Sequence, residues 1–216
     1  MHVTVIAKSP VPGRVKTRLC PPCTIQQAAE VAAAALADTL DAIDEAVATM
    51  PVRRVLLLDG SPPAWVPKGY EIVEQSEGGL GERLANGFDV LGPGVILGMD
   101  TPHAVPAVID AVQAVARGID ALGLAIDGGY WVIGLAGVDP AVFGGIEMST
   151  PRTGIDQLQR LHELGRPVTM LPVARDIDTF ADVVAVAHSD LGGRVVEVSR
   201  RLLSTVSDAA DSTPAC

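Results

Sequence analysis

The sequence predicts a three-layer α/β domain on a mostly parallel sheet, and three observations carry that prediction. Short apolar runs alternate with longer helix-forming stretches, the order expected of strands joined by crossover helices. Hydrophobic residues make up 48% of the chain but aromatics only 3%, so the core is Val, Leu, Ile and Ala. That mixture suits buried parallel strands under Ala-rich helices. Several apolar runs also end on or just before a charged residue: Lys8, Asp100, Asp127 and the pair Asp176/Asp178. Parallel strands bring their carboxyl ends to one rim, where ligands gather. No repeat or linker marks a second domain, so residues 1–206 read as one unit and the polar tail 207–216 as disordered.

In chain order, Val3-Thr4-Val5-Ile6-Ala7 is the first strand. Thr24-Ile25-Gln26-Gln27 has the form of a capping box and opens an Ala-rich helix to about Ala48, before Pro51. Arg54 to Asp59 is a buried strand, and Glu71 to Gln75 a shorter one. Gly78-Gly79-Leu80-Gly81-Glu82-Arg83 leads into a helix reaching about Val90. Gly94 to Asp100 is the next strand, then a helix from Val105 to Arg117 stopped by Gly118. Ala121 to Ile126 and Tyr130 to Leu135 read as strands around Asp127-Gly128-Gly129. An irregular stretch follows to Gly154, then a helix from Asp156 to Leu164 and a last strand from Val168 to Val173. Thr179 and Asp182 form a second capping box, and an amphipathic helix runs from Gly193 to about Leu203.

The loop Lys8 to Leu19 draws attention by its charge. It holds Lys8, Arg14, Lys16 and Arg18, and no acid appears before Glu30, although the formal net charge is -10. Backbone N–H groups near Gly13 can approach an anion closely while Lys16 and Arg18 neutralise it. The spacing fits neither a P-loop nor a dinucleotide-binding fingerprint. A solvated loop that keeps the N-terminus soluble is the plainer alternative.

A cationic loop facing one or two carboxylates is what a metal–phosphoryl site requires. Mg²⁺ takes oxygen ligands, keeps several waters and binds through one or two carboxylates plus substrate phosphates. Asp100 is the first choice of metal ligand and Asp178 the second. The alternatives are a helix cap for Asp100 and a turn-and-cap role for Asp178. Asp127-Gly128-Gly129-Tyr130 reads either as a substrate-contacting turn or as a hairpin turn alone. Glu82 and Arg83 fit a surface pair as well as a site, and Trp131 and Phe143 suit a core or a lid.

Composition excludes some partners. A pI near 4.7 speaks against nucleic acid and anionic membrane, which both need a positive field. The N-terminus lacks the pattern of a signal peptide and no apolar run is long enough to span a bilayer, so a cytoplasmic location is expected. Cys20-Pro21-Pro22-Cys23 has a spacing used by thiol oxidoreductases and zinc sites, but further ligands are missing, and incidental thiols are the simpler reading.

Five motifs in order resemble a bacterial family of glycosyltransferase-like proteins, formerly of unknown function and related to phospholactate guanylyltransferases. They are Ala7 to Leu19, Gly81-Glu82-Arg83, Gly98-Met99-Asp100-Thr101-Pro102, Asp127-Gly128-Gly129-Tyr130 and Asp176-Ile177-Asp178-Thr179. The resemblance implies the nucleotide-diphospho-sugar transferase (GT-A) fold, a three-layer α/β/α domain with a mixed, mostly parallel sheet. It implies nucleotide binding by Ala7, Lys8, Gly13, Arg14, Lys16, Thr17, Arg18, Gly81 and Arg83. It further implies catalytic roles for Lys16, Arg18 and Asp100, and a Mg²⁺ (or Mn²⁺) site at Asp100 and Asp178. Asp127, Gly128, Gly129 and Tyr130 would meet the substrate, with the acceptor pocket between Asp127 and Gly154. Gly79 departs from the pattern where relatives commonly carry Asp, and Met99 where they carry a small residue. The expected activity is a metal-dependent transfer from an activated nucleotide, first of all of a sugar from a nucleotide sugar, with guanylyltransferase-like transfer of a nucleotidyl group to a small phosphorylated or carboxylated acceptor as the alternative. A non-catalytic nucleotide-binding protein is a further alternative, and homodimerisation is left open.

Overall fold

The structure, a computed structural model, describes residues 1–211. Seven strands form one sheet: β1 (His2–Lys8), β2 (Arg53–Asp59), β3 (Tyr70–Glu74), β4 (Gly94–Gly98), β5 (Asp120–Ala125), β6 (Tyr130–Leu135) and β7 (Val168–Ala174). Their order across the sheet is β3-β2-β1-β4-β6-β5-β7. All neighbours are parallel except where β6 meets β4 and β5, so the sheet is mixed and mostly parallel, as expected. β6 runs backwards because Asp127-Gly128-Gly129 folds β5 straight into it; there is no room for a crossover helix.

Six α-helices complete the fold among the described residues: α1 (Ile25–Ala46), α2 (Leu80–Leu91), α3 (Val108–Ala116), α4 (Thr153–Glu163), α5 (Phe180–Ala187) and α6 (Arg194–Asp211). Strand alternation sorts them onto two faces. Val3, Val5, Leu56, Leu58, Val95 and Leu97 point into one core with α1 and α3. Ile96, Leu122 and Ile133 point into the other, against Leu84 and Phe88 of α2 and Leu161 of α4. A third apolar cluster lies outside α1, where α5 and α6 pack on Ala28, Val31 and Ala35. The small side chains of α1 let it bury two opposite faces.

The predicted capping boxes are present. Thr24 Oγ1 accepts from the Gln27 N–H at 3.2 Å while Gln27 Oε1 accepts from the Thr24 N–H at 2.8 Å. Asp182 accepts from the Thr179 N–H at 2.8 Å. Other boundaries differ from expectation. β4 stops at Gly98. The helix expected from Val105 is a 3₁₀ segment over Pro102–Ala107 and becomes α-helical only at Val108, because Pro106 lacks the N–H an α-turn needs. α4 starts at Thr153, three residues before Asp156. α6 continues to Asp211, so residues 207–211 of the expected disordered tail have helical backbone, and 212–216 lie outside the described residues.

Two buried polar groups hold the sheet edge opposite the rim. Asp120, 2% exposed, pairs with Arg166 and accepts from the Ala136 N–H at 2.9 Å. His2 is fully buried, with Nδ1 2.7 Å from Thr4 Oγ1 and Nε2 3.0 Å from the Gly92 carbonyl. Burial lowers its pKa from 6.5 to about 4. Between those values the unfolded chain binds a proton that the folded chain does not. The contribution of His2 is therefore complete above about pH 6.5 and falls as pH drops through the window, against an opposite contribution from Asp176, whose pKa is raised to about 6. The loss at pH 4 is on the order of 2–3 kcal/mol. In urea titrations, moving from pH 7.5 to 4.5 should lower the stability of the wild type relative to that of His2→Asn; the same change in both proteins would refute the assignment to His2.

Candidate functional site

The rim at the carboxyl ends of the parallel strands carries a cleft of 620 Å³. Its floor is the end of β1 and β4, and its walls are the loops that leave β1, β3, β5 and β7. The β1 loop is pinned where it starts: the Ser9 N–H donates to the Asp59 carbonyl at 2.9 Å, beside the pair Lys8 and Asp59 in the β1–β2 register. Gly13 takes φ +79 at the exposed turn. The chain then enters the left-handed region a second time, at Lys16, with φ 50 and ψ 34, before a single 3₁₀ turn, Thr17–Leu19. A non-glycine residue in that region is uncommon and costs energy, which its surroundings must offset. Leu19, fully buried, is packed in the same apolar cluster as Ile177, so the β1 loop and the β7 loop share an anchor.

That anchor sets the charge cluster. The Ile177 N–H donates to the Asp100 carbonyl at 3.1 Å, which ties the loop after β7 to the loop after β4. Asp100 and Asp178 thereby face the same ammonium: Lys16 Nζ lies 2.7 Å from Asp100 Oδ1 and 3.7 Å from Asp178 Oδ1. The Lys16 side chain is only 5% exposed. Arg18 pairs with the other oxygen of Asp178, which raises the guanidinium pKa further. Asp100 Oδ1 is shielded from solvent and receives no hydrogen bond of good geometry, so the charge of Lys16 is its compensation. Neither carboxylate caps a helix: Thr101 precedes the 3₁₀ segment without a side-chain cap, and Asp182 serves α5.

A second cluster occupies the β1–β2–β3 side. Arg83 Nη1 donates to Gln75 Oε1 at 3.1 Å and lies 3.3 Å from Asp59, while its Nε donates to the Gly78 carbonyl at 2.9 Å. Arg14 reaches the same Asp59 at 3.6 Å. Gln75 Nε2 donates to the Ala7 carbonyl at 2.6 Å and the Leu57 carbonyl at 3.0 Å, fixing the floor of the cleft. With Gly79 at the N-cap of α2, the Glu82 carboxylate accepts from the Gly79 N–H at 2.7 Å. Glu82 is thus a capping group, and Arg83 lines the cleft and pairs with Asp59 instead of Glu82.

On the β5–β7 side, Asp127 Oδ1 accepts from the Gly129 N–H at 2.8 Å and closes the hairpin turn. Asp127 is both a turn residue and a lining residue. Burial, reinforced by Asp127 and Asp178, raises the Asp176 pKa to about 6. Met148, Ser149 and Thr153 complete this wall. Thr153 Oγ1 donates to the Glu147 carbonyl at 2.8 Å and holds that segment in place. Trp131 and Phe143 are core residues, at 4% and 7% exposure, although Trp131 also touches the cleft.

Of the residues singled out in the sequence, Ala7 and Lys8 line the cleft from the end of β1, and Arg14, Lys16, Thr17 and Arg18 from the loop after it. Arg83, Asp100, Asp127, Gly129, Tyr130 and Asp178 line it from the other loops. Gly13, Gly81 and Gly128 shape the backbone without lining it: a Cβ at Gly81 would lie 3.1 Å from Met148 Cε, and Gly128 makes the turn. Sequence reasoning misses Gln75 and Thr101 as residues that line the cleft. Thr101 is 1% exposed with an unpartnered hydroxyl beside the cleft, and nothing local in the sequence distinguishes it from a helix cap.

No group of three or more His, Cys, Asp or Glu side chains arranged to hold a metal occurs among the described residues. The pair Asp100 and Asp178 does suit a hard cation that completes its shell with phosphate and water. Cys20 and Cys23 are free thiols, and burial and the neighbouring Cys20 raise the Cys23 pKa, the opposite of an activated thiolate.

Fold and cleft together define a class, and sequence comparison gives the family. The profile of the family described as "Uncharacterized protein conserved in bacteria (DUF2064)" matches residues 27–150, more than half of the chain, and the protein belongs to that family. Among solved structures it is similar to a protein of Desulfovibrio desulfuricans G20 provisionally described as a nucleotide-diphospho-sugar transferase. That likeness has a TM-score of 0.81 at 22% identity and covers 96% of this chain and 98% of the other. A cytidylyltransferase of Leptospira borgpetersenii serovar Hardjo-bovis aligns with TM-score 0.51 and 13% identity, over 100% and 98% of the two chains. The 2-C-methyl-D-erythritol 4-phosphate cytidylyltransferase of Thermus thermophilus aligns with TM-score 0.52 and 17% identity, over 93% and 100%. At these identities the likeness is one of fold, and the fold is that of the nucleotide-diphospho-sugar transferases. No curated protein matches the chain in sequence. No helix among the described residues is long and apolar enough to cross a membrane.

Gly128 gives the geometry a direct check. It sits at φ +93, and a Cβ there would lie 2.1 Å from the Pro151 carbonyl oxygen. Gly128→Ala should cost about 3 kcal/mol, since both backbone strain and a backbone clash must be relieved. Chemical denaturation measures it, and a loss under about 1 kcal/mol would show the turn to be more permissive than its geometry implies.

Proposed function

We propose that this protein is a divalent-metal-dependent transferase that uses an activated nucleotide, with transfer of a sugar from a nucleotide sugar as the leading reading. The observation that carries it is the convergence of Lys16 and Arg18 with Asp100 and Asp178 in one cleft. The volume of that cleft, 620 Å³, is in the range of small-molecule sites. In this reading the phosphates lie along the β1 loop, where Lys16 and Arg18 neutralise charge growing on the departing diphosphate. Arg14, Arg83 and Gln75 hold the nucleoside end, and the wall from Asp127 to Thr153 receives the acceptor. Asp100 and Asp178 would hold Mg²⁺ or Mn²⁺, which would supply further charge stabilisation to the phosphates when bound.

Nucleotidyl transfer is the second reading. It is supported by the fold shared with two cytidylyltransferases, and in it the same cations would stabilise a departing pyrophosphate. Products separate the two, since only transfer from a triphosphate releases pyrophosphate.

A thermal-shift panel of nucleoside di- and triphosphates and nucleotide sugars, with and without Mg²⁺, tests the common core of both readings. A true ligand at about a hundred times its dissociation constant adds roughly 2.7 kcal/mol. Once a donor is found, Arg18→Ala should lower turnover by about 10²–10³-fold, the loss typical of one removed charge-stabilising donor. If no nucleotide raises the melting temperature with any divalent metal, the transferase reading fails.

A further inference from the structure

The two carboxylates proposed for a metal are already sharing a cation. Lys16 Nζ stands 2.7 Å from Asp100 Oδ1 and 3.7 Å from Asp178 Oδ1, and its side chain is almost wholly withdrawn from solvent. The left-handed backbone at Lys16, at φ 50, belongs to the arrangement that presents the ammonium to this gap. Asp100 Oδ1 is shielded from solvent with the Lys16 ammonium 2.7 Å away and accepts no hydrogen bond of good geometry, so moving the ammonium away leaves a partly exposed carboxylate without its counter-charge and open to another cation. A divalent ion held at about 2.0–2.1 Å from carboxylate oxygen cannot share that gap with a like-charged ammonium. The ammonium, for its part, is a compact charge on a flexible stem and pairs with a phosphate oxygen as readily as with a carboxylate.

From this we infer that Lys16 is the resident counter-ion of the Asp100–Asp178 pair and keeps divalent metal out until nucleotide phosphate draws it away. Metal entry is then coupled to nucleotide entry, and the free protein is a poor metal binder. The inference rests on the transferase reading for its use, but its core concerns Lys16 and the two carboxylates alone. Arg18 does not substitute, because its guanidinium lies on the opposite oxygen of Asp178 and is largely exposed.

The test is binding of Mn²⁺ to the nucleotide-free protein, read from the electron paramagnetic resonance signal of the free aquo ion. Lys16→Met keeps most of the length of the side chain and removes the charge, and should bind Mn²⁺ about tenfold more tightly than the wild type, or better. Lys16→Arg, which retains a cation, should stay weak. Lys16→Gln repeats the neutral arm should the Met variant fail to fold by circular dichroism. Equal or weaker Mn²⁺ binding by a folded neutral variant overturns the inference, as does wild-type affinity already in the low micromolar range without nucleotide. Failure of the transferase reading is a separate result, since it is seen as absence of any nucleotide-induced thermal shift in the wild type.

Discussion

A hydrogen bond of 3.1 Å, from the Ile177 N–H to the Asp100 carbonyl, is the constraint on which the site depends. β4 and β7 are separated in the sheet by β6 and β5, and nothing in strand pairing alone would bring their outgoing loops together. The bond does so, and burial of Ile177 beside Leu19 draws the β1 loop to the same place. Three segments far apart in sequence then meet in a single charge cluster. Burial of the Lys16 side chain strengthens that cluster, because charges interact more strongly away from bulk water.

The opposite side of the cleft is held differently. Arg14, Arg83 and Asp59 are linked through moderately long contacts and through Gln75, which bonds backbone carbonyls of β1 and β2. Ion pairs at this exposure add little to stability. Their effect is to hold two guanidinium groups over the cleft floor with a shared carboxylate to limit their repulsion.

Much of this is legible in the sequence because it is local. The alternation of strands and helices, the capping boxes at Thr24 and Thr179, and the cationic run from Lys8 to Arg18 depend on near neighbours. The convergence of Lys16 with Asp100 and Asp178 follows from the parallel-strand rule and from resemblance. What stays hidden is non-local. Gln75 looks like any polar residue closing a strand, and only the tertiary fold places its amide between β1 and β2. The 3₁₀ start before α3 escapes notice because helical periodicity outweighs the missing N–H of Pro106. The start of α4 is placed late because Thr153 and Gly154 resemble loop residues until Gly154 is seen to donate to the Gly128 carbonyl at 2.8 Å.

The reversed strand β6 has a consequence for how such a protein diversifies. Because the turn at Asp127–Gly129 reverses the chain, the wall from Asp127 to Thr153 is contributed by chain that lies wholly downstream of the β1 loop and of Asp100. Val142 and Phe143 pack in the same core cluster as Ile96 of β4, so within residues 136–152 the positions that can change with little disturbance to the β1–β4 floor are exposed ones such as Val138, Gly144 and Glu147. A lineage carrying this architecture can vary that bank of the cleft at its exposed positions while the buried ones stay as they are.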